Sequence, residues 1–460
     1  MKKRVVSVLL AAVMTASVLA GCGSSGDTAK EEKPAEQEQT AATETGQSEE
    51  KAESTESAES TGDVQTLEFY HGYYHDESEW PAAKVMRDIY DDFAAAHADG
   101  PVVFKPIPVE NRGEIVSAQV AGGNFPDVVD VDQSVPQAAI SQGLVLDLKP
   151  FIDENGLQDA VGLNYTQNQV DGHIYTVHDQ LESRGMWYNG AVLESAGVKA
   201  EDIKSWDDFG SAMDKVNALG DGSYGYIAGQ GSLFMMNAMM ASSDTGKALI
   251  EGALTQEAIE SAEFAEAFKA AAALDQKNGS DHTTDNIGNL MDDFNKKGTV
   301  AALFNGVWNA SGIDASLAES IQPALFPGNT AIASAGGGIS ISSNMDEAKT
   351  ELALEFLAYM VSPEVQERIF VGVQAAPCNA MVDLQALALS GENQDAMLVK
   401  LAEACSQVNN ADTVVINLSY TWGGDVGNAI INAFMECAVS GADIDARFEQ
   451  LKQELTALIA

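Results

Sequence analysis

Two histidines stand four residues apart at His71 and His75, followed at once by Asp76 and Glu77. Imidazoles and carboxylates are the ligand types of a zinc or similar metal site. The stretch begins a loop after an alternating run, so helical i, i+4 spacing is not assured and no metal is expected. The alternative places both histidines in a ligand-side or surface loop. The chain has no GxSxG elbow, HExxH, phosphate-binding P-loop or GxGxxG, so the catalytic chemistries those motifs carry have no foothold. Paired carboxylates could hydrolyse glycosides, but among 69 acidic residues such pairs arise readily by chance. No enzyme and no cofactor are expected. Four cysteines, Cys22, Cys378, Cys405 and Cys437, show no CxxC spacing, which disfavours a metal or thioredoxin-like role.

The ends of the chain differ in character. Lys2, Lys3 and Arg4 precede an apolar run from Val5 to Ala20, the pattern of a secretory signal peptide. Leu19-Ala20-Gly21-Cys22 resembles the lipobox of bacterial lipoproteins. That resemblance implies cleavage before Cys22 and a diacylglycerol on its thiol, with residues 1–21 as the signal peptide. With Cys22 so used, the three remaining thiols allow one disulfide and leave at least one free. Residues 22–62 hold eleven acids and three lysines and no aromatic residue. They read as a disordered acidic tether, because low hydrophobicity cannot offset the entropy cost of ordering. The whole chain carries a net charge of −44. Such acidity excludes nucleic acid as a partner and disfavours tight docking on anionic lipid.

From residue 63 on, strands alternate with helices. Gln65 to Tyr74 reads as a strand broken at Gly72, Ala82 to His97 as a helix, and Pro101 to Val109 as a strand. Arg112 to Ala121 is a helix, and Pro126 to Asp132 a valine-rich strand of the buried parallel type. Further strands are expected at Leu144–Leu148, Gly172–Val177, Arg184–Tyr188, Thr299–Phe304 and Ile339–Ile341. Ser205 and Asp208 form a capping-box pattern, and Thr255 to Lys277 reads as one long helix. Shorter or later helices are expected over Asn289–Lys297, Glu347–Val361, Asn428–Ser440 and Asp443–Ile459. The alternation predicts an α/β sheet of βαβ units.

Seven segments in order resemble the carbohydrate-type extracellular solute-binding proteins of ABC importers (family 1). They are Leu67–Gly72, Asn124–Val129, Gly143–Leu148, Val170–Tyr175 with Trp187–Leu193, Ser205–Phe209, Lys297–Trp308 and Ala348–Glu364. Two departures stand out: Lys204-Ser205 where the family has Pro before its Trp motif, and Thr176-Val-His178 where a Pro is usual. The resemblance implies a two-lobed, periplasmic-binding-protein-like α/β fold of the maltose-binding-protein type, with an interlobe cleft and a hinge. The N-lobe is expected over 63–175 plus about 336–374, the C-lobe over about 176–335 plus 375–460. Crossings are expected near Tyr175–Val177, Ala333–Gly338 and Gln374–Pro377. Gly336, Gly337 and Gly338 suit the second, since glycine absorbs large dihedral changes; a plain tight loop is the alternative.

Sugars pack their C–H faces on aromatic rings and need placed polar partners for their hydroxyls. Trp308 and Trp422 both fall where the family stacks a sugar; a buried interlobe Trp is the alternative for Trp308. Asp132 matches a family carboxylate and lies at the carboxyl end of a parallel strand, where such sheets bind ligands; a helix cap is the alternative. Glu182 aligns with a second carboxylate, or is a solvated loop charge. His71 and Tyr73 lie in a loop that touches ligand in the family. Phe234 begins a Met-rich stretch to Met240, mostly core by its spacing, with Phe234 as a ligand contact. Arg184 pairs with a pocket acid or with the acidic surface. The expected function is a monomeric receptor that captures a sugar or oligosaccharide and delivers it to the membrane permease subunits. It is expected outside the cytoplasm of a Gram-positive cell, held to the membrane by its N-terminal lipid alone. The alternative is the same fold with a polyamine, an amino-sugar or an iron complex.

Overall fold

Along Gln65–His71 buried and half-exposed residues alternate, with Leu67, Phe69 and His71 facing inward. The computed structural model describes residues 64–459 apart from 79, 132–134, 230, 281–286, 334–336 and 391–394. Residues 1–62, where a signal peptide, a lipidated Cys22 and a tether are expected, therefore lie outside the described residues, as do Asp132 and Gly336. Among the described residues no helix is long and apolar enough to cross a membrane.

In chain order the strands are β1 (Gln65–His71), β2 (Val102–Pro108), β3 (Val128–Val131), β4 (Gln169–Val170), β5 (His173–Ile174), β6 (Ser183–Asn189), β7 (Tyr224–Ile227), β8 (Gly279–Ser280), β9 (Val300–Gly306), β10 (Ile321–Ala324), β11 (Thr330–Ala333), β12 (Gly338–Ile341) and β13 (Thr413–Ile416). One sheet runs β12-β3-β1-β2. Here β1 is parallel to β2 and β3, and β12 is antiparallel to β3. Helices Pro81–Ala96 and Arg112–Ala121 make the crossovers that parallel neighbours require. Phe69, Tyr90, Phe93, Phe104 and Phe356 close the core on one face, while Val129 and Val131 pack on the other.

The second sheet runs β13-β11-β6-β9-β7-β8. It is mixed rather than purely parallel. β6 runs against β9 and β11, and β10 pairs with the same strand. Successive residues of β6 feed different cores: Met186 and Tyr188 one, Trp187 the other. Both faces are thus covered, which explains strands without polar alternation. The capping box forms, with Ser205 and Asp208 exchanging side-chain and backbone hydrogen bonds. The long helix expected over Thr255–Lys277 is instead two, Gln256–Glu260 and Ala262–Asn278. Ser261 takes extended backbone between them and its hydroxyl accepts from Phe264 N at 3.3 Å, so it caps the second helix. Leu144–Leu148 forms only a bridge, Val145 with Ser342, and Gly172–Val177 shrinks to the hairpin β4–β5.

Three segments link the two sheets, and they bind one another. The first passes from Val177, in the core of the first sheet, to Leu181, in that of the second. The second joins β11 to β12. The third runs from Val373, in the core of the first sheet, through Ala376, in that of the second, and past Cys378 to Leu384. Val177 pairs with Ile339, and Gln180 with Pro377. Gln366, fully buried, donates to Asp179 O at 2.7 Å and accepts from Cys378 N at 2.8 Å. Gly338 has φ 128, and a Cβ there would overlap the backbone of Val177 and His178. Only glycine lets these two links touch.

Asp179, on the first link, is 8% exposed. Burial raises its carboxyl to about 6, with His178 pulling the other way and Asp130 adding to the rise. The folded protein thus holds this proton more tightly than the unfolded chain. The stabilisation is complete below about pH 4 and is lost as pH rises through 6. Asp179→Asn removes this titration. Urea unfolding of variant and wild type should show a gap that moves in the variant's favour between pH 4 and 7, by at most about 3 kcal/mol. A gap independent of pH would mean that Asp179 ionises as in the unfolded chain.

Candidate functional site

Both sheets end at the links. Ser183, where β6 begins, pairs with Ala333, where β11 ends; Arg184 pairs with Gly306, where β9 ends. Ala333 in turn pairs with Ile416, the end of β13. In the first sheet the links meet the end of β3 and the start of β12. The carboxyl ends of these strands therefore line the lobe junction, the edge where open α/β sheets bind ligands.

On the first sheet, the loop after β1 carries Tyr73. Arg87 fixes that loop by donating to the carbonyls of Tyr73 and His75 at 2.9 and 2.7 Å. Tyr73 stacks on Trp80 at 5.0 Å between ring centroids and 27° between planes. Its hydroxyl accepts from Gln180 Nε2 at 3.0 Å, a contact with the first link. Arg112 donates from Nε to the carbonyl of Asp130 at 2.6 Å. With Asp130, Asp179 and Gln180 these residues line a recess of about 270 Å3. Gly72 makes room for the guanidinium: a Cβ there would overlap Arg112.

On the second sheet the centre is Arg184, 8% exposed. Its guanidinium lies 5.0 Å from the Trp308 ring centroid, 5.1 Å from Phe234 and 5.8 Å from Tyr420. Nη2 donates to Glu182 Oε1 at 2.8 Å and to the Tyr420 hydroxyl at 3.3 Å. Tyr420 donates to the same Glu182 oxygen at 3.2 Å. Nε and Nη1 are buried without a hydrogen-bond partner among the described residues. Trp308 remains 38% exposed, unusual for so large an apolar ring. It sits in the 3-10 turn Val307–Gly312, which is braced by Asn309 pairing with Asn295 and Asn305. Beneath it, Trp187 Nε1 donates to Gly306 O at 3.0 Å. A Cβ at Gly306 would overlap the Trp308 ring, so the ring folds back over a bare backbone.

The structure thus brings Glu182, Phe234 and Trp308 together around Arg184, and places Tyr73 in the recess. Two expected contacts are corrected. Trp422 is 5% exposed; its ring packs edge-on to Phe264 and its indole donates to Leu249 O at 2.9 Å. Tyr420, on the same five-residue helix, faces the cluster instead. His71 is 1% exposed, packed against Phe69 and Tyr90, and does not line the recess. Its Nδ1 accepts from Tyr73 N at 3.2 Å, and burial with the nearby Arg112 and Arg87 lowers it to about 3, so it is neutral. No group of three or more metal-ligating side chains occurs among the described residues. Gly337 and Gly338 lie at the second link; Tyr175 lies just before the first. Cys378, Cys405 and Cys437 are unpaired and buried. Sequence reasoning missed Trp80, Arg112, Asp130, Asp179 and Tyr420. Asp130 lies two residues before the expected Asp132, and Tyr420 two before Trp422.

Residues 88–394 match the family model for bacterial extracellular solute-binding proteins. A Streptococcus pneumoniae solute-binding protein, solved in complex with the blood group A-trisaccharide, is 45% identical. The likeness covers 85% of this chain and 100% of that one, with a TM-score of 0.75. A chitin oligosaccharide binding protein shares the fold at 18% identity and a TM-score of 0.64, over 86% of this chain and 99% of that one. The arabinooligosaccharide-binding protein of Bacillus subtilis (strain 168) is 31% identical over 106 residues, 22% of this chain and 23% of that protein. The chain therefore spans only about a quarter of that curated relative. With the family model matched over two thirds of its length, the chain belongs to the bacterial extracellular solute-binding proteins.

Proposed function

We propose that this protein is the substrate receptor of an ABC importer and captures an oligosaccharide between its two lobes. The observation that carries the reading is the exposed Trp308 ring beside Arg184, Glu182 and Tyr420 at the lobe junction. It offers an aromatic face next to charged and hydroxyl partners, the pairing a sugar ring needs. The recess at Tyr73, Trp80, Arg112 and Asp130 supplies the same pairing on the other lobe. At about 270 Å3 it lies below the usual ~300–1,000 Å3 of a whole ligand pocket, which suits one part of a longer ligand. The blood group A-trisaccharide complex of the 45% identical relative supports a glycan ligand.

In this reading ligand binding draws the lobes together by bending at the three links. The N-lobe comprises 63–175 plus about 336–374 and the C-lobe about 176–335 plus 375–460, with Gly337 and Gly338 absorbing the bend. A diacylglyceryl thioether on Cys22 holds the protein at the outer face of the membrane, and residues 22–62 form the tether. Retention near the permease raises the local concentration of loaded receptor. The protein works as a monomer and hands its ligand to the permease subunits.

A thermal-shift screen of the purified protein tests the reading, with mono- and oligosaccharides beside polyamines, amino acids and metal ions. A glycan series should raise the melting temperature by mass action. Trp308→Ala should weaken the responding glycan by about tenfold or more (about 1.4 kcal/mol) while leaving the ligand-free melting temperature near wild type. Trp422→Ala should do the reverse and lower the ligand-free stability, by about 3–5 kcal/mol for a large buried aromatic. Gly72→Ala and Gly306→Ala should each weaken binding, because each new methyl displaces Arg112 or Trp308. Shifts with polyamines or metal ions alone would overturn the glycan reading.

A further inference from the structure

Helix Ser232–Met240 reads SLFMMNAMM, and its one amide, Asn237, is fully buried. Asparagine is a poor helix former, and an amide in a Met-rich core costs free energy unless its hydrogen bonds are met. Both of its functional atoms reach a different element. Oδ1 accepts from Leu418 N at 2.8 Å, and Nδ2 donates to Ile416 O at 3.3 Å. Ile416 ends β13, and Leu418 opens the helix Leu418–Trp422 that carries Tyr420. Phe234, three residues before Asn237, is a near neighbour on the helix surface. Asn237 therefore ties the element bearing Phe234 to the element bearing Tyr420, two of the three rings around Arg184.

A five-residue helix is far too short to hold its own shape. Its placement must come from outside. Thr421 and Trp422 fasten it to the end of helix Asp244–Glu251, donating to Ile250 O at 2.6 Å and Leu249 O at 2.9 Å. Asn237 fastens the strand-to-helix corner. We propose that Asn237 is a positioning residue: it touches no ligand, and it sets the separation of Phe234 and Tyr420 and so the seat of the Arg184 guanidinium. The consequence for affinity rests on the glycan reading above; the consequence for Arg184 does not.

The test uses Asn237→Leu, of similar bulk without the hydrogen bonds, and Asn237→Asp. Buried there, the carboxyl should stay protonated and supply both an acceptor and a donor. The first readout is the NMR signal of Arg184 Nε–H in the ligand-free protein, identified by its loss in Arg184→Lys. Three surrounding rings displace that signal. Asn237→Leu should move it, and Asn237→Asp should leave it near the wild-type position. The second readout is calorimetric affinity for the blood group A-trisaccharide. Asn237→Leu should weaken it about tenfold, yet add less than about twofold in a Phe234→Ala/Tyr420→Ala background, since residues acting through one another are not additive. An unmoved Arg184 signal in a folded Asn237→Leu protein overturns the proposal, whatever the affinity does. A full additional loss in the double background overturns it as well. If wild type does not bind the trisaccharide, the glycan reading fails for that sugar and the NMR readout alone decides.

Discussion

Three backbone links, laced together side to side, fix where two separate sheets stand. Gln366 is at the centre of that lacing, since one buried amide spans the first link and the third. A buried amide with met hydrogen bonds is rigidifying and costly to disturb. Because the links enter at the edges where β3, β9, β11 and β13 end, everything placed on those edges faces the junction. The site is thus a consequence of topology before it is a consequence of side chains. Loops can vary there while the strands that launch them do not move.

The two walls of the site obey one packing rule. Each brings a bulky side chain onto a glycine: Arg112 over Gly72 and Trp308 over Gly306. Neither glycine needs a left-handed backbone. What each supplies is the absence of a Cβ, which lets a guanidinium or an indole ring lie flat against the main chain. A Cβ at either position would have to displace the guanidinium or the ring.

The sequence showed the alternating strand β1, the capping box at Ser205 and the valine strand before Asp132, because each rests on local pattern. It did not show the antiparallel course of β6, or the strands β7, β10, β11 and β13, whose pairing is decided by distant partners. The error over Trp422 has the same origin. Tyr420 and Trp422 are two residues apart on one helical turn, and residues two apart do not share a face. Which of them faces the cleft depends on where Leu249 and Phe264 stand, and nothing local says so. The split at Ser261 was local, but the alanine-rich run around it concealed a serine that competes with the helix for backbone donors.

Charge gives the last constraint. The chain carries 25 basic residues against 69 acidic ones. Several of its lysines form ion pairs that are exposed on both sides, which contribute little to stability. Three arginines differ, and one of them, Arg447, pairs with Glu436 and Glu454 near the C-terminal helix. The Arg112 and Arg184 side chains are each 9% exposed, Arg112 at the start of the helix Arg112–Ala121 and Arg184 at the start of β6. Burying a guanidinium is expensive even when it is paired, and among the described residues Glu182 and Tyr420 hydrogen-bond only Nη2 of Arg184. Aromatic rings on three sides partly replace the lost water through cation–π attraction, without providing acceptors. A fold optimised for stability alone would fill that position with an apolar side chain. The planar donor set of Arg184 is therefore held in place by Glu182, Tyr420 and the surrounding rings more than by full hydrogen bonding among the described residues.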